Sequence, residues 1–348
     1  MNLASTIDEA LYKQVKTQRG FTYSYFFSPP TAGKPVIFFS HGFPSSSYVW
    51  REQVAFFKPL GFGLVVPDLL GYGGTDRPTD PKLYIGSGLA QDVVNIFDAE
   101  GIAKVIAVGH DWGSSVVSRL INLHPNRVSA CAFVTVGYGA PNPAAKAVIT
   151  QPGMMTKMVG YETFAYMRFF CQPDAAEIIE KNIDSFLCLV YPEKTEIWKD
   201  NMCVEGGARA WIEGNTINPV ASYMTPELLG HERSALLKGG LAAPLCWYKV
   251  LLEDAKAADD AAVPAEAHAV MQPLLFVAST RDPVCLPIFG DTNHGKHAKG
   301  VVTRREIAGD HWVLESHAAE TPSLVLKVSV LLKSAHTSAR PAKILGEF

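Results

Sequence analysis

The segment VIAVGHDWGSS, residues 105–115, concentrates the chemistry-bearing signals of this chain. Asp111 stands between Gly109 and Gly113, after an apolar run and before the helical pattern GSSVVSRLINLH. A small residue two places before and two places after a central side chain is what a sharp strand-to-helix turn requires. The central residue is strained there, and only small neighbours leave room for it. Its side chain projects at a helix N-terminus, where the dipole favours negative charge, so Asp111 is expected to be ionised at neutral pH. An aspartate N-cap on an ordinary turn is the plain alternative, and the neighbouring and downstream residues decide against it. The residue type is informative. A serine attacking a saturated carbon would leave an ether, a dead end. A carboxylate leaves an alkyl ester, which water can cleave at the enzyme's own carbonyl. The pattern therefore points to a leaving group on saturated carbon, and away from carboxylesterases, lipases and peptidases.

Three motifs occur in order: HGFP (41–44), DLLGYGGTDRP (68–78) and GHDWG (109–113). Together they resemble the epoxide hydrolase branch of the α/β-hydrolase fold family, and the similarity runs from about residue 22 to 330. HGFP or GHDWG alone would also admit haloalkane dehalogenases. The resemblance implies an α/β fold: a mostly parallel eight-stranded sheet with helices on both faces and an inserted α-helical cap. It also implies the chain order nucleophile, acid, histidine. AGDHWVLE places His311 in a loop after the last strand, as the base that activates water. LLFVASTRDPVC places Asp282 at the end of a late strand, as the acid that orients it; an Asp-Pro turn is the plain alternative. The other position used by relatives follows the fourth strand, where TVGYGAP offers no acid. Asp310 is expected to point away from His311, HGKH (His294, His297) to be a solvated polar loop, and His41 to be a hydrogen-bonded loop residue.

The same resemblance implies an oxyanion hole from the backbone N–H groups of Phe43 and Trp112, which would also contact the substrate. Epoxides and halides differ in the leaving group. An opening epoxide generates a strongly basic alkoxide that needs a proton donor, and tyrosine, with a pKa of about 10, suits it. FAYMRFFCQPDAAE and APLCWYKV place Tyr166 and Tyr248 in contexts similar to those of the two ring-opening tyrosines of cap-bearing epoxide hydrolases. Taken singly, either is more often a packing residue, the reading kept for Tyr161, Tyr191 and Tyr223. Haloalkane dehalogenases usually carry Asn or Glu where Phe43 stands. Leu70 and Asp310 depart from the Arg and Gly of many relatives without removing a catalytic group. The expected activity is epoxide hydrolysis to a vicinal diol. The alternatives are a haloalkane or fluoroacetate dehalogenase with the same Asp111–His311–Asp282 set, and, more remotely, a non-catalytic receptor or scaffold.

These residues need a scaffold. VIFFS (36–40), GLVVPDL (63–69), KVIAVGHD (104–111), SACAFVTV (129–136), QPLLFVAST (272–280) and VVTRREIA (301–308) read as strands, with two more within 12–28 at the sheet edge. Helical stretches alternate with them, at about 88–100 and 113–124, which implies a parallel sheet with helices on both faces. From 141 to 268 the pattern is helical, including 175–189 and 226–239, with a loop-rich stretch near 191–224. The expected division is a core of residues 1–140 and 269–348 interrupted by a cap of residues 141–268. A final helix is expected over 323–334 and a tail over 336–348.

Composition is that of a globular protein: 348 residues, 48% hydrophobic, 19% charged, formal net charge -3. No Lys/Arg block suggests nucleic acid or an anionic membrane surface. Six scattered cysteines without a CxxC pair read as free thiols, and no secretory signal or membrane-length apolar run is present, so a reducing cytosol is expected. The short N-terminus is expected to leave no room for a second catalytic domain. GYGG (71–74) lacks the spacing of a dinucleotide fingerprint, and there is no Walker loop, HExxH or EF-hand pattern, so neither cofactor nor metal is expected. A small-molecule epoxide and water are the implied partners, and the protein is expected to be a monomer or homodimer.

Overall fold

The computed structural model describes residues 9–326; most of the helix expected over 323–334, and the whole tail over 336–348, lie outside them. Eight strands form one sheet: β1 (Tyr12–Lys16), β2 (Thr22–Ser28), β3 (Val36–Ser40), β4 (Gly63–Pro67), β5 (Val105–His110), β6 (Val128–Val134), β7 (Leu274–Ser279) and β8 (Val302–Ile307), in the order β1-β2-β4-β3-β5-β6-β7-β8. The two edge pairings, β1–β2 and β2–β4, are antiparallel, and the others are parallel.

The central strands are continuous apolar runs because both faces are covered. Side chains alternate across the sheet. Phe38, Ala107 and Phe133 enter one core, while Ile37, Phe39, Val108 and Val134 enter the other. Burying each large side chain contributes ~1.5–3 kcal/mol. Helix α1 (Arg51–Phe57) packs Val54 and Phe57 into the second core. Helices α2 (Gly86–Ala99) and α3 (Trp112–Leu123) pack on the first, α2 through Leu89, Val93, Ile96 and Phe97, one helical face. Gly101 ends α2 with φ 64°, in the left-handed region open to glycine.

After β3 the chain turns to β4 on one side, and β5 lies on the other. The carboxyl ends of β3 and β5 therefore flank the point where strand order reverses, the usual place for a crevice in such sheets. HGFP follows β3 and Asp111 follows β5.

Between β6 and β7 the chain is helical, and among the described residues of 141–268 the only β pairing is an isolated bridge between Pro192 and Val220. Helix Pro226–Gly239 matches its expected span, with Thr225 accepting the Leu228 N–H as N-cap and Pro226 opening the helix. Two expectations need correction. The helix over 175–189 is broken at Asn182 (φ -119°, ψ 42°) into Ala175–Lys181 and Ile183–Val190. The stretch near 191–224 contains a π-helical turn, Trp198–Met202, and a helix, Gly207–Glu213. No helix of the described residues is long and apolar enough to cross a membrane.

Candidate active site

Asp111 occupies the turn between β5 and α3 at φ 52° and ψ -127°, a conformation that costs free energy for a non-glycine residue. The surrounding glycines leave no space for methyl groups. A Cβ at Gly113 would lie 2.0 Å from the Ser40 carbonyl oxygen, one at Gly109 2.7 Å from the Gly113 oxygen, and one at Gly42 2.2 Å from Asp111 Oδ1. The turn thus delivers a carboxylate whose Oδ1 accepts the Phe43 N–H at 2.9 Å and whose charge the Trp112 N–H also favours. Both sequence-expected backbone donors therefore converge on this carboxylate. Burial raises the Asp111 pKa. His311 and these two N–H groups pull it back without cancelling the rise, so the helix terminus does not dominate as the sequence suggested.

His311 presents Nε2 3.6 Å from Asp111 Oδ2. Its Nδ1 lies 2.6 Å from Asp282 Oδ2, and Asp282 Oδ1 accepts the N–H groups of Val284 (2.8 Å) and Cys285 (2.9 Å). Burial pushes the Asp282 carboxyl up, but the paired His311 and the two N–H donors outweigh it and hold it low. Burial likewise lowers His311, and Asp282 and then Asp111 more than reverse that, raising it above 6.5. Asp310 points elsewhere: it accepts the Tyr223 hydroxyl (2.7 Å) and the Trp312 N–H (2.9 Å). His41 accepts the Leu69 N–H through Nε2 at 2.9 Å.

Tyr166 and Tyr248 face this carboxylate from the helical insertion. Their rings lie 5.9 Å apart at 78°. The Tyr248 ring packs edge-on to Trp112 at 5.2 Å and to Phe43 at 5.1 Å. Burial, then the neighbouring charges, pushes both hydroxyls well above 10, so both are protonated at any ordinary pH. Asp111, His311, both tyrosines and Phe43 line one narrow chamber with Phe170, Trp198 and Trp312. Tyr161, by contrast, donates to the Pro283 carbonyl at 2.6 Å, a structural bond.

Some contributors were not singled out from sequence. His110, next to the nucleophile, is fully buried, with its pKa lowered to about 3 by burial. Being neutral, it donates Nε2–H to the His311 carbonyl at 2.9 Å and so fixes the His311 backbone. Its place beside Asp111 was the one available signal. Trp198, 5.4 Å from the His311 ring, is delivered by the unforeseen π turn. The HGKH motif needs correction: it ends helix Pro287–His297, and His294 is buried, accepting the Tyr138 N–H at 3.0 Å. Glycine in the motif suggested a loop, yet the bond to Tyr138 holds this helix against the segment after β6.

One potential cation-binding trio exists among the described residues. Asp282, Cys285 and His311 bring one donor atom each within 4.8 Å of one another. Asp282 and His311 are already bonded to each other, so a cation would have to break that pair.

Residues 35–182 match the family described as alpha/beta hydrolase fold. The chain is 27% identical to "Epoxide hydrolase A" of Mycobacterium tuberculosis over 317 residues, 85% of this chain and 90% of that protein. It is 30% identical to "Epoxide hydrolase 2" of Siraitia grosvenorii over 62% of this chain and 66% of that one. Among solved structures, an epoxide hydrolase from an endophytic Streptomyces superposes with TM-score 0.79 at 23% identity, covering 93% of this chain and 96% of that one. Epoxide hydrolase A from Mycobacterium thermoresistibile gives 0.77 at 24%, covering 91% and 97%. The chain has the α/β-hydrolase fold, and its sequence is similar to these proteins named epoxide hydrolases.

Proposed function

We propose that the chain hydrolyses epoxides to vicinal diols through a covalent ester on Asp111. The observation that carries this reading is the meeting, in one buried chamber, of a carboxylate, a histidine–aspartate pair and two protonated tyrosines. Tyr166 and Tyr248 donate to the oxirane oxygen. Asp111 Oδ2, the oxygen that faces His311, attacks a ring carbon. That C–O bond forms as the ring C–O bond breaks, and a tyrosine proton passes to the alkoxide. Water, deprotonated by His311, then adds to the Asp111 carbonyl carbon. Charge develops on Oδ1, which already accepts the Phe43 N–H, with the Trp112 N–H as the second donor of the proposed oxyanion hole. The ester breaks, the second water proton passes from the regenerated Asp111 carboxyl to the departing alkoxide, the diol leaves with Oδ2, and the His311 proton restores the tyrosine. Asp282 holds the His311 tautomer and stabilises its cation.

In this reading residues 141–268 form a cap that brings the tyrosines over the core of residues 1–140 and 269–348. The substrates are a small-molecule epoxide and water. The six cysteines, all free, fit a reducing cytosol.

The test is a single turnover in oxygen-18 water with enzyme in excess. The first diol should carry unlabelled oxygen from Asp111, and the label should appear in the protein. A fully labelled first diol would mean direct attack by water and would rule the mechanism out.

A further inference from the structure

Two cavities meet at Asp111 and Tyr166. One is the narrow aromatic chamber. The other is a larger open cavity, walled by Met154, Met155, Met158, Met167, Phe164 and Phe289. Met158, 65% exposed, marks where this arm reaches solvent. Thioether side chains are unbranched and polarizable, so they adapt to irregular and flexible apolar groups. The charged residues in the two walls are Asp111 and His311; neither wall contains a lysine or arginine. Arg119 and Lys256 line a separate cavity of about 670 Å³ that shares the Trp112 wall, and both pair with Asp260.

At the inner end of the methionine arm, beside Asp111, a carboxylate would lose part of its hydration, meet only the neutral polar groups of Ser115, Thr135 and Asn293, find no counter-charge and lie in the field of Asp111. An ester, ether or hydrocarbon chain carries no such penalty. Lys157, on the same helix as Met154 and Met158, is exposed and outside the lining, so only a long acid could reach it.

We infer that the substrate is a neutral, unequally substituted epoxide, with a long or bulky apolar chain in the methionine arm and a small substituent in the aromatic chamber, and that free carboxylic acids are rejected. This rests on the epoxide hydrolase reading above.

The experiment compares kcat/KM for an epoxy acid with a short acyl spacer against its methyl ester, at neutral pH, with a simple alkyl epoxide as reference. The ester should be favoured by at least about tenfold, which corresponds to about 1.4 kcal/mol. Met167→Lys and Met154→Lys supply the missing cation, and each should lower the ester-to-acid ratio. An acid turned over as well as its ester by the wild-type protein overturns the inference. So does an unmoved ratio in lysine variants that still hydrolyse the alkyl epoxide. Failure of the wild-type protein on the alkyl epoxide would instead sink the hydrolase reading, so the two failures are told apart.

Discussion

In the proposed mechanism Asp111 attacks and is then attacked, and its two oxygens divide the work. Oδ1 accepts the Phe43 N–H while Oδ2 faces His311. Replacing His311 with Gln should remove the proposed base and leave the first step. The expected result is an ester that accumulates: one substrate mass added to the intact protein, and steady-state turnover lower by at least about 10³-fold. Asp111→Asn should give no adduct. An adduct-free His311→Gln protein would show that the histidine serves the first step.

The pH profile follows from the same groups. Asp111 is needed ionised, and burial raises its pKa, so the acid limb of kcat/KM should lie above the ordinary carboxylate range. His311 is raised partly by the Asp111 charge, which the ester abolishes. His311 in the intermediate should therefore titrate lower than in the free enzyme, and the acid limb of kcat should fall below the free-enzyme His311 titration followed by NMR. Both tyrosines sit well above 10, so no alkaline loss from them is expected up to pH 10.

The types and order of Asp111, Asp282 and His311 were legible because each carries a chemical requirement and a position relative to a strand end. Tyr166 and Tyr248 were legible through their flanks alone. His110 and Trp198 were not, because a buried histidine or tryptophan has no pattern until its neighbours are known.

At the scale of elements, the β5–α3 turn separates two kinds of glycine. Gly113 packs against the Ser40 backbone, so Gly113→Ala has no side chain to push aside. The turn must distort, with a stability loss of about 2–4 kcal/mol and a lower Tm. The three atoms nearest a Cβ at Gly42 all belong to the Asp111 side chain. Gly42→Ala should therefore depress kcat by displacing the nucleophile, with little change in Tm. Equal thermal effects of the two substitutions would argue against this division. The central strands were readable because parallel strands covered on both faces are apolar throughout. Asn182 was harder, because the amphipathic pattern of 175–189 runs across it and only packing reveals the break. The HGKH helix end failed for a related reason: its polar composition hid a tertiary bond.

Across the whole molecule, the insertion and the core share a buried charge cluster. Arg51 of α1 holds Glu315 in a two-bonded pair at 2.7 and 2.5 Å, while Glu232 of helix Pro226–Gly239 lies buried beside them. One arginine serves two carboxylates. Burial, and then the Glu315 charge, push Glu232 up to about 8 against the pull of Arg51. In the unfolded chain this group ionises near 4.5. Between about 4.5 and 8 the folded protein therefore binds more protons than the unfolded one, and stability falls as pH rises, by up to ~1.4 kcal/mol per unit. Glu232→Gln keeps the shape and removes the titration. Its Tm should fall less steeply than that of the wild type across this window, with the two proteins converging near pH 5 and the variant more stable at pH 8. Arg51→Met should act oppositely, leaving Glu315 buried without its partner at a cost of about 3–5 kcal/mol. Parallel Tm curves for Glu232→Gln and wild type would mean that Glu232 stays ionised in the fold and that the insertion meets the core there through charge pairing.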